Sequence, residues 1–207
     1  MTKAKFTLDE FRHRAWQAQS DVPQVETGDF RFNPDLEETI RNGAQREAAV
    51  LIGVLEGAKG PSVLLTERTA KLRSHSGQIA FPGGRVDDTD RTYAETALRE
   101  CEEEVGIGGE HLEIVGEMPV YFTGSGYRIH PVLAVISGDY TLRANDDEVA
   151  SIFDVPLSFL MDEGNHLKNS REWQGKKRYF YEMPYGERYI WGVTAGILRV
   201  MFERLYR

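Results

Sequence analysis

Hydrophobic positions along this chain recur in two periods. Residues 6–19 (FTLDEFRHRAWQAQ) carry the helical spacing, with Thr7 and Glu10 placed as a capping box at the start. Residues 20–45 are polar and irregular, which predicts a segment wrapping the surface. The runs AAVLIGVLEG (48–57) and SVLLTER (62–68) are β-rich and flank Ala58-Lys59-Gly60-Pro61, a hairpin signal. GQIAFPGG (77–84) reads as a short strand ended by Pro-Gly-Gly. The spacing predicts a helix over 92–105, with Thr92 and Glu95 as a second capping box and Gly106 as its C-terminal cap. Strands follow over 112–122 and 127–137, joined by Thr-Gly-Ser-Gly, and then VASIFDVPL leads into a short helical turn near 157–162. Residues 166–190 alternate charged and aromatic side chains, as in a long hairpin. The final stretch, TAGILRVMFERLYR, is amphipathic, with Ile197, Val200, Met201 and Leu205 on one face and Thr194 as its cap.

Helices segregated between and after mixed strands predict an α+β fold, an α/β sandwich around a mixed or antiparallel sheet. There is no internal repeat. The 207 residues fit one domain, residues 1–45 forming an N-terminal helix and wrapping segment and 46–207 the core. Composition narrows the class further. With 25 basic and 33 acidic residues the formal charge is −8, which argues against general affinity for nucleic acid. No apolar run reaches the length of a membrane span, and the start has no apolar stretch of a secretory signal. The single cysteine, Cys101, suits a reducing cytoplasm.

The helix over 92–105 ends in an unusual cluster, LRECEEEVG (98–106). At about 100° per residue, Glu100, Glu103 and Glu104 fall within an arc of about 100°, with Glu102 off it. Ala94, Ala97, Leu98, Cys101 and Val105 form an apolar stripe beside them, which makes Cys101 a core residue. Like charges at this spacing repel, and the helix dipole disfavours anions at this end. Such a cluster is either a solvated acidic face or a site for a hard cation, since Mg²⁺ and Mn²⁺ take carboxylate oxygens. Arg99, beside the cluster, can orient a glutamate or meet a phosphate.

The stretch 83–107 (GGRVDDTDRTYAETALRECEEEVGI) resembles the box of the Nudix hydrolases, G-x5-E-x7-R-E-U-x-E-E-x-G-U. Arg99, Glu100, Cys101 as the apolar position, Glu103, Glu104, Gly106 and Ile107 match it. The first half departs. The acidic position holds Asp90, and eight residues rather than seven separate it from Arg99, so that glutamate's role is not carried to Asp90. Immediately upstream, LLTERTAKLRSHSGQIAFPGG (64–84) resembles the signature of the coenzyme A subset, L-L-T-x-R-S-x3-R-x3-G-x-V-x-F-P-G-G. Leu64, Leu65, Thr66, Arg68, Arg73, Gly77, Phe81, Pro82, Gly83 and Gly84 match outright. The chain is similar to bacterial coenzyme A pyrophosphatases, which carry both motifs.

The resemblance implies a Nudix fold, with the box as a loop–helix–loop on a mixed sheet. It also implies Mg²⁺- or Mn²⁺-dependent cleavage of coenzyme A, or of an acyl-CoA, to 3′,5′-ADP and 4′-phosphopantetheine or its acyl form. It implies Glu100, Glu103 and Glu104 as metal ligands, with the Gly83 carbonyl beside them and Arg99 orienting. Glu103 or Glu148 then takes the proton of the attacking water. Glu148 has a second reading, as a loop carboxylate beside Asp146 and Asp147. Arg68, Lys71, Arg73 and His75 form a basic cluster that either meets the 3′-phosphate of the substrate or, through Arg68 or Arg73, pairs with Asp87-Asp88 or supports the box. Two other readings stand beside this one: a Nudix hydrolase of another nucleoside diphosphate such as NADH or ADP-ribose, and a non-catalytic nucleotide-binding regulator. The expected setting is a cytoplasmic monomer or homodimer, with no nucleic-acid or membrane partner.

Overall fold

The computed structural model of the protein describes residues 6–20, 27–71, 76–173 and 175–207. In chain order these form α1 (Leu8–Ser20), β1 (Thr27–Gly28), α2 (Glu37–Asn42), β2 (Arg46–Gly57), β3 (Gly60–Arg68), β4 (Ile79–Ala80), β5 (Gly83–Arg85) and α3 (Tyr93–Val105). The second half continues with β6 (Leu112–Glu117), β7 (Tyr121–Phe122), β8 (Tyr127–Ile136), β9 (Val149–Pro156), α4 (Leu157–Leu160), β10 (Leu167–Trp173), β11 (Lys176–Tyr185), β12 (Arg188–Trp191) and α5 (Gly192–Leu205).

Among the described residues, β1 to β9 build one sheet whose main path runs β1-β7-β8-β2-β3-β4, with β5 on β2, β6 on β8 and β9 on β3. β2 and β8 pair in parallel, as do β1 and β7, and the other pairs are antiparallel, so the sheet is mixed as predicted. Its central strands are apolar on both faces because both are covered. One face packs Leu51, Leu55 and Leu64 against Ala97, Cys101 and Val105 of α3. The other packs Ile52, Val54 and Leu65 against α1, through Phe11 and Ala15, and against α5. Burial of side chains of this size stabilises by about 1.5–3 kcal/mol each, which fixes α3 over the sheet.

Several elements differ from the sequence reading. The short strand before Pro-Gly-Gly forms as β4 and stops ahead of Pro82, but Gly83 and Gly84 then pair with Val50 and Ala49 as a strand of their own. Residues 112–122 break into β6 and β7. The long hairpin over 166–190 gains a third strand, giving an antiparallel sheet β10-β11-β12. Residues 27–45 are not wholly irregular, since α2 forms there. Asn33 completes the small sheet: its amide donates to the Tyr179 carbonyl and accepts from the Tyr179 N–H, both at 3.0 Å, in place of a neighbouring strand. Thr194 does not cap α5. The helix starts two residues earlier, and the Thr194 hydroxyl donates to the Ile79 carbonyl at 2.9 Å, tying α5 to β4.

α3 begins and ends as its sequence dictates. The Thr92 hydroxyl accepts from the Glu95 N–H at 3.1 Å, while the Glu95 carboxylate turns to the Arg91 N–H at 2.7 Å and not back to Thr92. Gly106 closes the helix at φ 76°, its N–H bonded to the Glu102 carbonyl. A Cβ there would be forced left-handed against Arg143. Gly106→Ala is therefore expected to lower stability by about 1–2 kcal/mol, measured by urea unfolding, and an unchanged midpoint would remove that role.

Candidate functional site

The C-terminal half of α3 brings its acids over β5, where Glu100 lies against Gly84, and toward Arg68 at the end of β3. Arg99 organises one side. Its Nε and Nη2 donate to the two carboxylate oxygens of Asp90, at 3.2 and 2.9 Å. Its Nη1 donates to Glu100 Oε1 at 2.9 Å and to Glu103 Oε2 at 3.2 Å, and Nη2 also reaches the Arg85 carbonyl at 3.0 Å. One guanidinium thus holds three carboxylates and the loop before the helix. Hydrogen bonds from Arg99 keep Asp90 ionised far below the usual carboxylate range, and the Thr96 hydroxyl and Asp87 N–H also donate to it, each at 2.9 Å. Asp90 therefore does take a place in the box, as the anchor of Arg99. The extra residue in the loop concealed this, and an acid one position off the pattern was the only signal.

Glu104 lies on the other side and is 2% exposed. Its nearest cation is Arg68, with Nη1 at 3.7 Å from Oε1, while Oε2 is buried with no hydrogen-bond partner among the described residues. Burial pushes its carboxyl up to about 8, helped by the charges of Glu148 and Glu100 and opposed by Arg68 and the Gly83 N–H. Burial also raises Glu100, which faces β5 so closely that a Cβ on Gly84 would overlap its carboxylate. Glu103 is exposed and Glu102 faces solvent off the cluster, as the helical angles predict. Cys101 is fully buried, with its thiol pushed up to about 12 by burial, so it offers no thiolate at neutral pH. Leu98, expected on the buried stripe, is only half-buried, and Thr96 is buried in the helix instead, its hydroxyl spent on Asp90.

Glu148 arrives on the 143–149 segment, which hangs from the end of α3. The Arg143 N–H donates to the Val105 carbonyl at 2.9 Å and the Asn145 N–H to the Glu104 carbonyl at 3.0 Å, satisfying carbonyls that the helix end leaves open. Glu148 lies near enough to raise both Glu100 and Glu104, and its own carboxylate has no ion pair among the described residues.

Of the basic residues, Arg68 supports the box through Glu104, and Lys71 is exposed on the loop after β3. Arg73 and His75 lie outside the described residues. One further pair sits beside the site. The Arg188 guanidinium donates to Glu67 and, at 3.0 Å, to Ser151.

Among the described residues, no three acids already converge on one point: Arg99 draws Glu100 and Glu103 one way and Glu104 turns to Arg68. The donor set nonetheless fits a hard divalent cation. Beyond burial, the charge of Glu148 raises both Glu100 and Glu104 and that of Glu100 raises Glu104, and one buried Glu104 oxygen has no hydrogen-bond partner among the described residues. No helix among the described residues is long and apolar enough to cross a membrane.

The sequence model of the NUDIX domain matches residues 44–174. The chain is 38% identical over 199 residues to the "Uncharacterized Nudix hydrolase NudL" of Citrobacter koseri, covering 96% of this chain and 95% of that protein. Proteins of the same name from Shigella boydii and Escherichia coli O1:K1 / APEC are each 40% identical over 154 residues, 74% of this chain and 80% of theirs. A more distant likeness runs to the crystal structure of a C. elegans Ap4A hydrolase binary complex, at 23% identity over 54% of this chain and 80% of that one, with a TM-score of 0.46.

An acid whose proton is held more tightly in the folded chain than in the unfolded one stabilises the fold below its ordinary pKa. That stability is lost as pH rises through the folded value. Without divalent ions, unfolding free energy is expected to fall by up to a few kcal/mol between about pH 5 and pH 8 on account of Glu104. Glu104→Gln should flatten that part of the profile; identical slopes for the two proteins would show that Glu104 is not the titrating group.

Proposed function

The chain belongs to the NUDIX family, whose hydrolases act on phosphoanhydride bonds with the help of a divalent metal ion, and on that premise we propose that its nucleoside diphosphate substrate is coenzyme A or an acyl-CoA. Cleavage of the diphosphate gives 3′,5′-ADP and 4′-phosphopantetheine, or the acyl form of the latter. The observation that carries this choice is the stretch 64–84. It matches the coenzyme A signature at ten fixed positions, and it lies on β3, β4 and β5, so that Arg68 at its start and Gly83 at its end both meet Glu104.

Glu100, Glu103, Glu104 and the Gly83 carbonyl are the groups that would hold Mg²⁺ or Mn²⁺. When bound, the ion neutralises charge on the diphosphate and polarises its phosphorus. The remaining chemistry belongs to side chains of the protein. Arg99, locked by Asp90, fixes the rotamers of Glu100 and Glu103, so their oxygens are oriented before substrate arrives. Arg68 offsets the charge of Glu104 inside a buried pocket. Glu148 is the general base: among the described residues its carboxylate pairs with no arginine, whereas the Glu103 carboxylate is already engaged by Arg99. Lys71, Arg73 and His75, which follow β3 in the sequence, are the cations we assign to the 3′-phosphate.

Incubation of coenzyme A with the protein and Mg²⁺ or Mn²⁺ should yield 3′,5′-ADP, detected by anion-exchange chromatography. No product, beside rapid turnover of NADH or ADP-ribose, would overturn the substrate assignment. Glu104→Gln should lower turnover by orders of magnitude while the protein stays folded. Asp90→Asn should lower kcat roughly tenfold to a hundredfold through loss of Arg99 orientation, and an unaltered kcat would remove its anchoring role.

A further inference from the structure

The strand β10 forms an edge of the small sheet. It pairs with β11 alone among the described residues, and six of its seven residues are exposed. Among the described residues no strand pairs with its free side. Ser170 shows this directly: it stands opposite Tyr179, whose N–H and C=O both point away to Asn33, and the Ser170 N–H is taken by the Asn169 side chain at 2.7 Å and not by β11. Lys168, Ser170 and Glu172 therefore present their backbone groups outward.

Edges of this kind are commonly guarded by charges against pairing with other chains. The order of side chains along β10, Leu-Lys-Asn-Ser-Arg-Glu-Trp, does something more specific. Turned antiparallel against a copy of itself about Ser170, it sets Lys168 opposite Glu172 of the second copy and Leu167 opposite Trp173, with Ser170 facing Ser170. The outward-facing residues meet outward-facing residues, so the hydrogen-bond ladder closes without a bulge. A parallel pairing would set each charge against its own copy, and a shift by two residues in either direction breaks both Lys–Glu pairs. Leu167 and Trp173 are 45% and 57% exposed, and both would be covered. Glu172 has no ion-pair partner among the described residues, while the Lys168 ammonium rests over the Phe32 and Tyr179 rings, on the face where Glu172 of the other copy would arrive. β6, by contrast, carries only acids, Glu113 and Glu117, with an irregular register at Gly116 and the Gln19 amide on the Glu117 carbonyl.

We infer that two copies of this chain associate through β10, joining their small sheets into one six-stranded antiparallel sheet about a two-fold axis. The contact is self-complementary, as such symmetry requires. The Asn169 amide shields the Ser170 N–H in the free chain and releases it to the carbonyl of the facing Ser170.

Sedimentation velocity from about one to a few hundred micromolar tests this, and the wild-type chain should move from monomer to dimer over that range. Lys168→Glu and Glu172→Lys each turn both attractive pairs of the dimer into like-charge pairs, and each should weaken the Kd about tenfold or more. A mixture of the two variants restores opposite charges in both pairs and should recover the dimer, an outcome that misfolding cannot produce. A wild-type chain that stays monomeric throughout, or a dimer unmoved by the charge reversals, or a mixture of folded variants that stays monomeric, would overturn the inference.

Discussion

Three carboxylates share one guanidinium at the end of α3, and the geometry of the site follows from that sharing. Arg99 reaches back across the 86–92 loop to Asp90, sideways to Glu100 and one turn on to Glu103. The pair with Asp90 is two-pronged, an arrangement in which an ion pair contributes direction as well as energy. It therefore does two jobs that the backbone alone could not. It pins a loop that would otherwise be free to swing, and it lets acids crowd a helix end where the dipole opposes them. Glu104 sits beyond its reach, and there the electrostatic conflict is left standing.

That unresolved conflict is where sequence and stability part company. A carboxylate oxygen with no partner in a buried pocket is a cost the fold carries, since a well-packed apolar residue at position 104 would sit there more comfortably. Proteins keep such groups where binding a ligand relieves them. Among the described residues the cation paired with it is Arg68, 3.7 Å away, close enough to restrain the charge and too far to satisfy it.

Much of this arrangement was legible in the sequence, and what was not has physical reasons. The two central strands, α3 with its caps and the burial of Cys101 all followed from local periodicity and turn chemistry. The carboxylates of the cluster fell on the predicted arc, yet their environments could not be read from it. Glu103 is in solvent and Glu104 in a buried pocket because of what the sheet places beneath them. Asp90 was obscured by one inserted residue, because a loop can absorb an extra residue and still return its acid to the same arginine. Pairing of Gly83 and Gly84 as a strand depends on contact with β2, far away in sequence, and no propensity scale favours glycine there. The third strand of the small sheet and the lone amide of Asn33 at its edge are likewise tertiary choices.

The 143–149 segment couples the end of α3 to β3: Arg143 and Asn145 donate to the last carbonyls of α3, and the Glu148 carbonyl accepts from the Thr69 N–H at 2.9 Å. Helix ends fray more easily than any other part of a helix, and here the last turn, fastened by Gly106 and the buried Val105, carries Glu103 and Glu104 while its carbonyls hold the strap that carries Glu148. A disturbance of that turn would reach both the glutamates we assign to the metal and, through Asn145, the segment carrying the carboxylate we assign to the proton. The hydrogen bonds that finish a helix thus also join the two parts of the proposed centre.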